Sequence, residues 1–221
     1  MPKIKLPRSS PSIDMTPMVD LAFLLVTFFI LTTKFRPDEA VKVTIPFSVS
    51  STKLPENVTT IDIDSNGRVF IDMDVKEVRA QIFQSMADKY KSVAPGIGGN
   101  EVARFAVCGP FGAPMAKMKE YLDDDDDARK DFNKASPGIP HDTTKPGGNE
   151  LADWIHYAYA NVIQDYNQKV SSGLKGIEQP RFAIKADGRT KYKDIKTVVD
   201  ICQKQNIQHF ELITSLKAKP Q

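Results

Sequence analysis

At 221 residues and 24.6 kDa the chain has room for one ordinary domain with an appendage, or for two small ones, which excludes a large multidomain assembly. Thirty Lys and Arg against 28 Asp and Glu leave a net charge of +2, so no strong field points to nucleic acid or another polyanion. A mean hydropathy of −0.33 with 41% apolar and 26% charged residues excludes a polytopic membrane protein but can conceal one apolar segment.

That segment lies near the N-terminus. Residues 17–33 read PMVDLAFLLVTFFILTT with Asp20 as the only charge, and nothing comparable follows. They predict a single membrane helix, taken as 17–34, preceded by a tail over 1–16. Its length of about 25 Å is at the short end for a hydrocarbon core of about 30 Å, and Lys34 and Arg36 are placed to snorkel. Thr16 suits the N-cap and Pro17 the first helical position, where its missing N–H costs nothing. A cleaved secretory signal is the competing reading, disfavoured because Thr-Thr-Lys-Phe-Arg follows the apolar run in place of an A-x-A-like site, and Asp14 and Asp20 precede or enter it. Lys3, Lys5 and Arg8 on one side balance Lys34, Arg36 and Lys42 on the other, so the charge rule does not orient the helix.

An aspartate at the centre of a membrane helix costs about 2.5–3.5 kcal/mol on insertion scales, which makes Asp20 a functional candidate. The structural alternative places it in the first turn at headgroup level, where the helix dipole offsets about 0.3–1 kcal/mol. Asp20, Leu24, Thr27 and Leu31 fall at i, i+4, i+7 and i+11, on one stripe suited to pairing with another helix or to lining a pore.

Beyond this segment, 35–59 is rich in Pro, Ser and Thr and reads as a linker, with Val41, Val43 and Ile45 alternating as a short edge strand. Residues 60–72 predict a hairpin turning at Asn66-Gly67. Val75, Val78, Ile82 and Met86 predict a helix to about Tyr90. After a Pro/Gly loop over 94–100 the sequence suggests a strand over 104–108 and a helix over 115–122. The five aspartates at 123–127 lack the alternating spacing and turning glycine of a calcium loop and read as a solvated acidic segment. A loop over 135–148 leads to a helix over 149–170, whose Leu151, Trp154, Ile155, Ala158, Val162 and Tyr166 form a stripe better suited to core packing than to binding. Phe182, Ile184 and Ala186 mark a strand, Ile195, Val198, Val199 and Cys202 a helix, and 210–216 a closing strand. The fold class expected is α+β: one N-terminal transmembrane helix, then a mixed sheet with helices on one face.

Chemistry of other kinds has little support. Cys108 and Cys202, far apart and in apolar patterns, read as buried free thiols rather than a disulfide. His141, His156 and His209 are scattered, and no Walker loop, G-x-S-x-G or H-E-x-x-H occurs. No metal, no cofactor and no enzyme active site is expected.

Residues 13–29, IDMTPMVDLAFLLVTFF, resemble the N-terminal signature of the ExbD/TolR family, and FAIKAD at 182–187, followed by Tyr192, a helix and the 210–216 strand, is similar to the close of that family's periplasmic domain. Two features depart from the pattern. Gln205-Asn206 replaces the usual glycine after the last helix, which Asn tolerates by taking the left-handed conformation, and 91–179 reads as an insertion. The insertion is expected to pack on or beside a core that is complete without it, within a periplasmic domain spanning 60–221. The resemblance implies that Asp20 carries protons in an inner-membrane channel, with the N-terminus cytoplasmic and the C-terminal domain periplasmic. It further implies coupling of the proton motive force to TonB-dependent outer-membrane transport. The partners it implies are an ExbB- or TolQ-like polytopic protein, a second copy of this chain and a TonB-like periplasmic protein, with no nucleic acid. The alternatives are a Tol-Pal-like component of envelope integrity, and a single-pass anchor for a periplasmic interaction module.

Overall fold

A computed structural model of the chain describes residues 15–32, 39–41, 43–44, 47–48, 58–74, 76–142, 148–174, 176–207, 210–213 and 215–216. The chain divides into two units, residues 1–37 and 38–221.

Within the first unit, α1 (Thr16–Thr32) is apolar on every side except at Asp20, and none of its residues is buried. The Met15 carbonyl accepts the Val19 N–H at 3.0 Å, so the helix starts one residue earlier than expected and Pro17 falls at its second position. Its missing N–H is still among the four that a helix start leaves unpaired. The expected continuation to residue 34 lies outside the described residues. No helix among the described residues is long and apolar enough to cross a membrane; α1 has 17 residues and a length of about 25 Å.

The second unit is built on a four-stranded sheet, ordered Val69–Met73, Val58–Ile63, Arg181–Ala186, Phe210–Ile213 from edge to edge. The hairpin is as expected: β2 (Val58–Ile63) and β3 (Val69–Met73) pair antiparallel, with Gly67 at φ 79° in the turn, a conformation that favours glycine. β4 (Arg181–Ala186) lies parallel to β2, and β5 (Phe210–Ile213) parallel to β4. A two-residue pair joins β1 (Phe47–Ser48) to β6 (Ser215–Leu216). The linker's strand is thus found at 47–48; Val41, Val43 and Thr44 are not strand, and residues 42 and 45 lie outside the described residues.

Strand alternation puts Ile61, Ile63, Val69, Ile71, Met73 and Ile184 on one sheet face, where they join the buried core. Helices α2 (Lys76–Lys89), α6 (Glu150–Ser171) and α7 (Tyr192–Lys204) contribute Ile82, Phe83, Met86, Leu151, Trp154, Val198 and Ile201 to it. After α7 the chain turns through Asn206 at φ 63°, the left-handed conformation anticipated for the asparagine that replaces glycine.

The middle of the chain departs from expectation in two ways. Residues 104–108 are not a strand: α3 (Gly99–Val107) covers most of them, with Phe105 buried and Val107 82% exposed. The helix is started by Glu101, whose Oε2 accepts the Gly98 N–H at 2.8 Å, half of a capping box. The segment 91–179 also does not sit beside a finished core. Its residues, Phe105, Phe111, Met118, Tyr121, Leu122 and Trp154 among them, make up about half of the buried core itself. Phe105 stacks on Phe83 of α2 with centroids 4.4 Å apart, and Trp154 lies 4.8 Å from Phe111 and 5.6 Å from Phe105.

The same segment covers the free edge of β3. Phe111 forms a bridge with Ile71, the Ile139 N–H donates to the Val69 carbonyl at 2.9 Å, and Arg68 donates to the carbonyls of Lys134 and Ser136 at 2.7 and 2.9 Å. An edge strand so covered is closed to pairing with another chain. Arg79 of α2 ties the segment on the other side, donating to the carbonyls of Met73 and Gly109 at 3.1 and 3.0 Å. Gly112 lies flat against the Phe70 ring, and a Cβ there would overlap ring carbons Cδ1 and Cε1. Gly112→Ala is therefore expected to lower stability by about 1–3 kcal/mol, read as an earlier midpoint in urea; an unchanged midpoint would show that the edge cover is not packed this closely.

The remaining short elements are a 3-10 turn (Met115–Lys117), α4 (Met118–Asp123) and α5 (Asp126–Ala135). The acidic run marks the boundary between α4 and α5: Asp125 Oδ1 accepts the Ala128 N–H at 2.8 Å as an N-cap, and Asp126 and Asp127 sit in the favourable first turn with exposed side chains.

Candidate functional sites

The stripe on α1 is present as spaced. Asp20, Leu24 and Leu31 are exposed, and Thr27 is half-buried because its hydroxyl donates to the Leu24 carbonyl at 2.9 Å. Asp20 lies beyond the first helical turn, where the benefit of the helix dipole has fallen away. What α1 offers is therefore a lone carboxylate on an otherwise apolar cylinder. Such a helix needs lipid or other helices around it.

A groove of about 870 Å³ opens in the second unit between α6 and the β4–β5 end of the sheet. Tyr159, Ile163, Phe182 and Phe210 give it an apolar floor, and the ion pair of Arg181 with Glu211, at 2.6 Å, lies on its rim. Among the described residues β5 pairs only with β4, so its outer edge offers unpaired backbone groups beside the groove. No local pattern announces this groove, because its walls on α6 and on β4–β5 come from separate stretches of the chain.

The other face of the sheet carries a cluster of charges. Lys185, in the middle of the FAIKAD string, pairs with Glu39 at 2.8 Å. Asp62 of β2 stands opposite Lys185 in the strand register, and burial raises its carboxyl from 3.8 to about 6 against the lowering effect of Lys185. Asp72 of β3 is likewise raised by burial, with Arg79 opposing. Asp187, which closes the string, accepts from the Arg189 side chain, the Arg189 N–H and the Thr44 N–H, and these bonds bring its carboxyl down to about 2.

The cysteines are both buried and free, as the apolar patterns suggested. Trp154 is packed in the core rather than on a binding face. His156 Nδ1 lies 3.1 Å from Gln205 Oε1 and His141 Nδ1 3.2 Å from the Ile139 carbonyl, while His209 lies outside the described residues. Among the described residues no group of His, Cys, Asp or Glu could hold a metal ion.

These features define a chain with one short apolar helix bearing a single carboxylate, followed by an α+β unit with a mixed sheet. The family described as "Biopolymer transport protein ExbD/TolR" matches it over residues 7–107 and 155–217, and the chain belongs to that family. Proteins of this family are in general anchored in the inner membrane and work in energy transduction with ExbB/TolQ and TonB/TolA-like partners. No curated protein and no solved structure matches the chain. The family match leaves out 108–154, a stretch lying wholly within 91–179 and containing Phe111, α4, α5 and Trp154.

Proposed function

We propose that this chain is the single-helix subunit of an inner-membrane proton channel and couples the proton motive force to TonB-dependent outer-membrane transport. The observation that carries this reading is Asp20, an isolated carboxylate on a helix that is otherwise apolar and has no buried residue. One helix cannot line a pathway alone. The partner required is an ExbB-like polytopic protein whose helices surround a pair of these helices, so that Asp20, Leu24, Thr27 and Leu31 face a protein-lined path. At about 25 Å, α1 falls a few residues short of a standard bilayer core, a gap that local thinning closes at modest cost. A TonB-like protein would contact the second unit, where the groove and the open β5 edge offer an apolar floor and backbone partners.

In this reading the tail before α1 is cytoplasmic and the chain after about residue 35 is periplasmic. Protease added to spheroplasts is expected to cleave the region after residue 60, and a C-terminal alkaline phosphatase fusion is expected to be active. An intact region together with an inactive fusion would overturn the orientation and the assignment together. Affinity purification from membranes should also recover a polytopic partner, and a chain that purifies alone after mild detergent extraction would support a simple anchor.

A further inference from the structure

Near the start of the second unit, Glu39 and Thr44 are each fastened to the sheet. Lys185, only 8% exposed, donates to Glu39 Oε1 at 2.8 Å. Farther along, the Thr44 N–H donates to Asp187 Oδ2 at 2.8 Å and the Gly188 N–H donates to the Thr44 carbonyl at 2.8 Å. Between them Ala40 is buried. Asp62 lies opposite Lys185, is 4% exposed, and its Oδ1 has no hydrogen-bond partner among the described residues. The charged groups facing Asp62 are Lys185 from β4, Asp72 from β3 and Glu39 from the 39–44 stretch, with Arg79 of α2 facing Asp72 in turn. One ammonium thus serves two carboxylates that repel each other.

We propose that the described residues 39–41 and 43–44 belong to a strap whose docking on the sheet is controlled by the protonation of Asp62. A neutral Asp62 leaves Lys185 wholly to Glu39 and fastens the strap; an ionised Asp62 draws Lys185 away, repels Glu39 and loosens it. The sign follows from burial. In the docked state burial raises the Asp62 carboxyl from 3.8 to about 6; lifting the strap is taken to open it to water and return it toward its ordinary value. The docked state therefore holds the proton more tightly, and its advantage, complete below the ordinary value, is lost as pH rises through about 6. Docking weakens about tenfold between pH 5 and pH 7 and little above that. Asp187, held down near 2 by Arg189 and the Thr44 N–H, stays ionised throughout and serves as the fixed anchor.

Hydrogen exchange on the full chain in lipid nanodiscs tests this, reading the Thr44 and Gly188 amides after correction for the intrinsic pH dependence of exchange. The Ile61 amide in the centre of the sheet reports on folding in each variant. Protection of Thr44 and Gly188 is expected to be about tenfold greater at pH 5 than at pH 7. Asp62→Asn should hold it at the pH 5 level throughout, and Lys185→Gln should lower it at both pH values. Protection in the native chain that does not change with pH would overturn the strap, whatever the variants do. An undiminished pH dependence in Asp62→Asn would overturn the role of Asp62.

Discussion

Asp20→Asn should abolish transport that depends on the proton motive force while leaving the complex with the polytopic partner assembled. The amide keeps the size and shape of the side chain and its capacity to accept a hydrogen bond, so helix packing around it changes little. It cannot cycle between charged and neutral forms. A proton crossing about 100 mV releases roughly 2.3 kcal/mol, and in the proposed mechanism Asp20 is the one group in α1 through which that energy enters. Transport should fall to the level of cells lacking the protein, measured beside co-purification of the partner. Leu24→Ala and Leu31→Ala, on the same stripe, should instead weaken co-purification by removing contact area. Near-normal transport in Asp20→Asn cells with an intact complex would sink the mechanism.

The largest effect on stability is expected at Trp154. It is fully buried and packs against Phe83, Phe105 and Phe111, which come from α2, α3 and the strip that covers β3. Trp154→Ala should cost about 3–5 kcal/mol, a large share of the roughly 5–15 kcal/mol that holds an ordinary domain together. Trp154→Phe should cost much less. The indole Nε1 is buried with no hydrogen-bond partner among the described residues, so replacing it removes an unpaired donor along with some packing. Chemical unfolding followed by circular dichroism distinguishes the two variants. Equal losses would mean that the ring's stacking is not what anchors the middle of the chain. For the same reason, replacing 91–179 by a short Gly/Ser linker should eliminate cooperative unfolding, because it removes about half of the buried core.

Most of the sheet and its main helices were legible because their signals are local. The Asn66-Gly67 turn between alternating strands specifies the hairpin, and the Leu151 to Val162 stripe specifies α6 and its buried side. Residues 104–108 misled because a short apolar run has no reliable period. The deciding signal was the Glu101 side chain reaching back to Gly98, which the surrounding glycines disguised as a loop. That the middle belongs to the core was not legible at all, since Phe105, Phe111 and Trp154 meet Phe83 only after the chain has folded. For the functional residues the contrast is similar. Asp20 stands out because a lone charge in an apolar run is improbable by composition. Asp62, Lys185 and Glu39 each look like ordinary surface charges; the register of β2 against β4 brings the first two together, and Glu39 joins them only through its ion pair with Lys185.

Proton flux through the purified complex is the most direct measure of the central claim. Proteoliposomes containing the chain and its polytopic partner, loaded with a pH-sensitive dye and placed under a potassium diffusion potential, should acidify faster than liposomes containing the partner alone. The same vesicles made with Asp20→Asn should fall to the rate of the partner alone. Equal flux with Asp20 and with Asn at that position, in complexes of the same composition, would contradict the account.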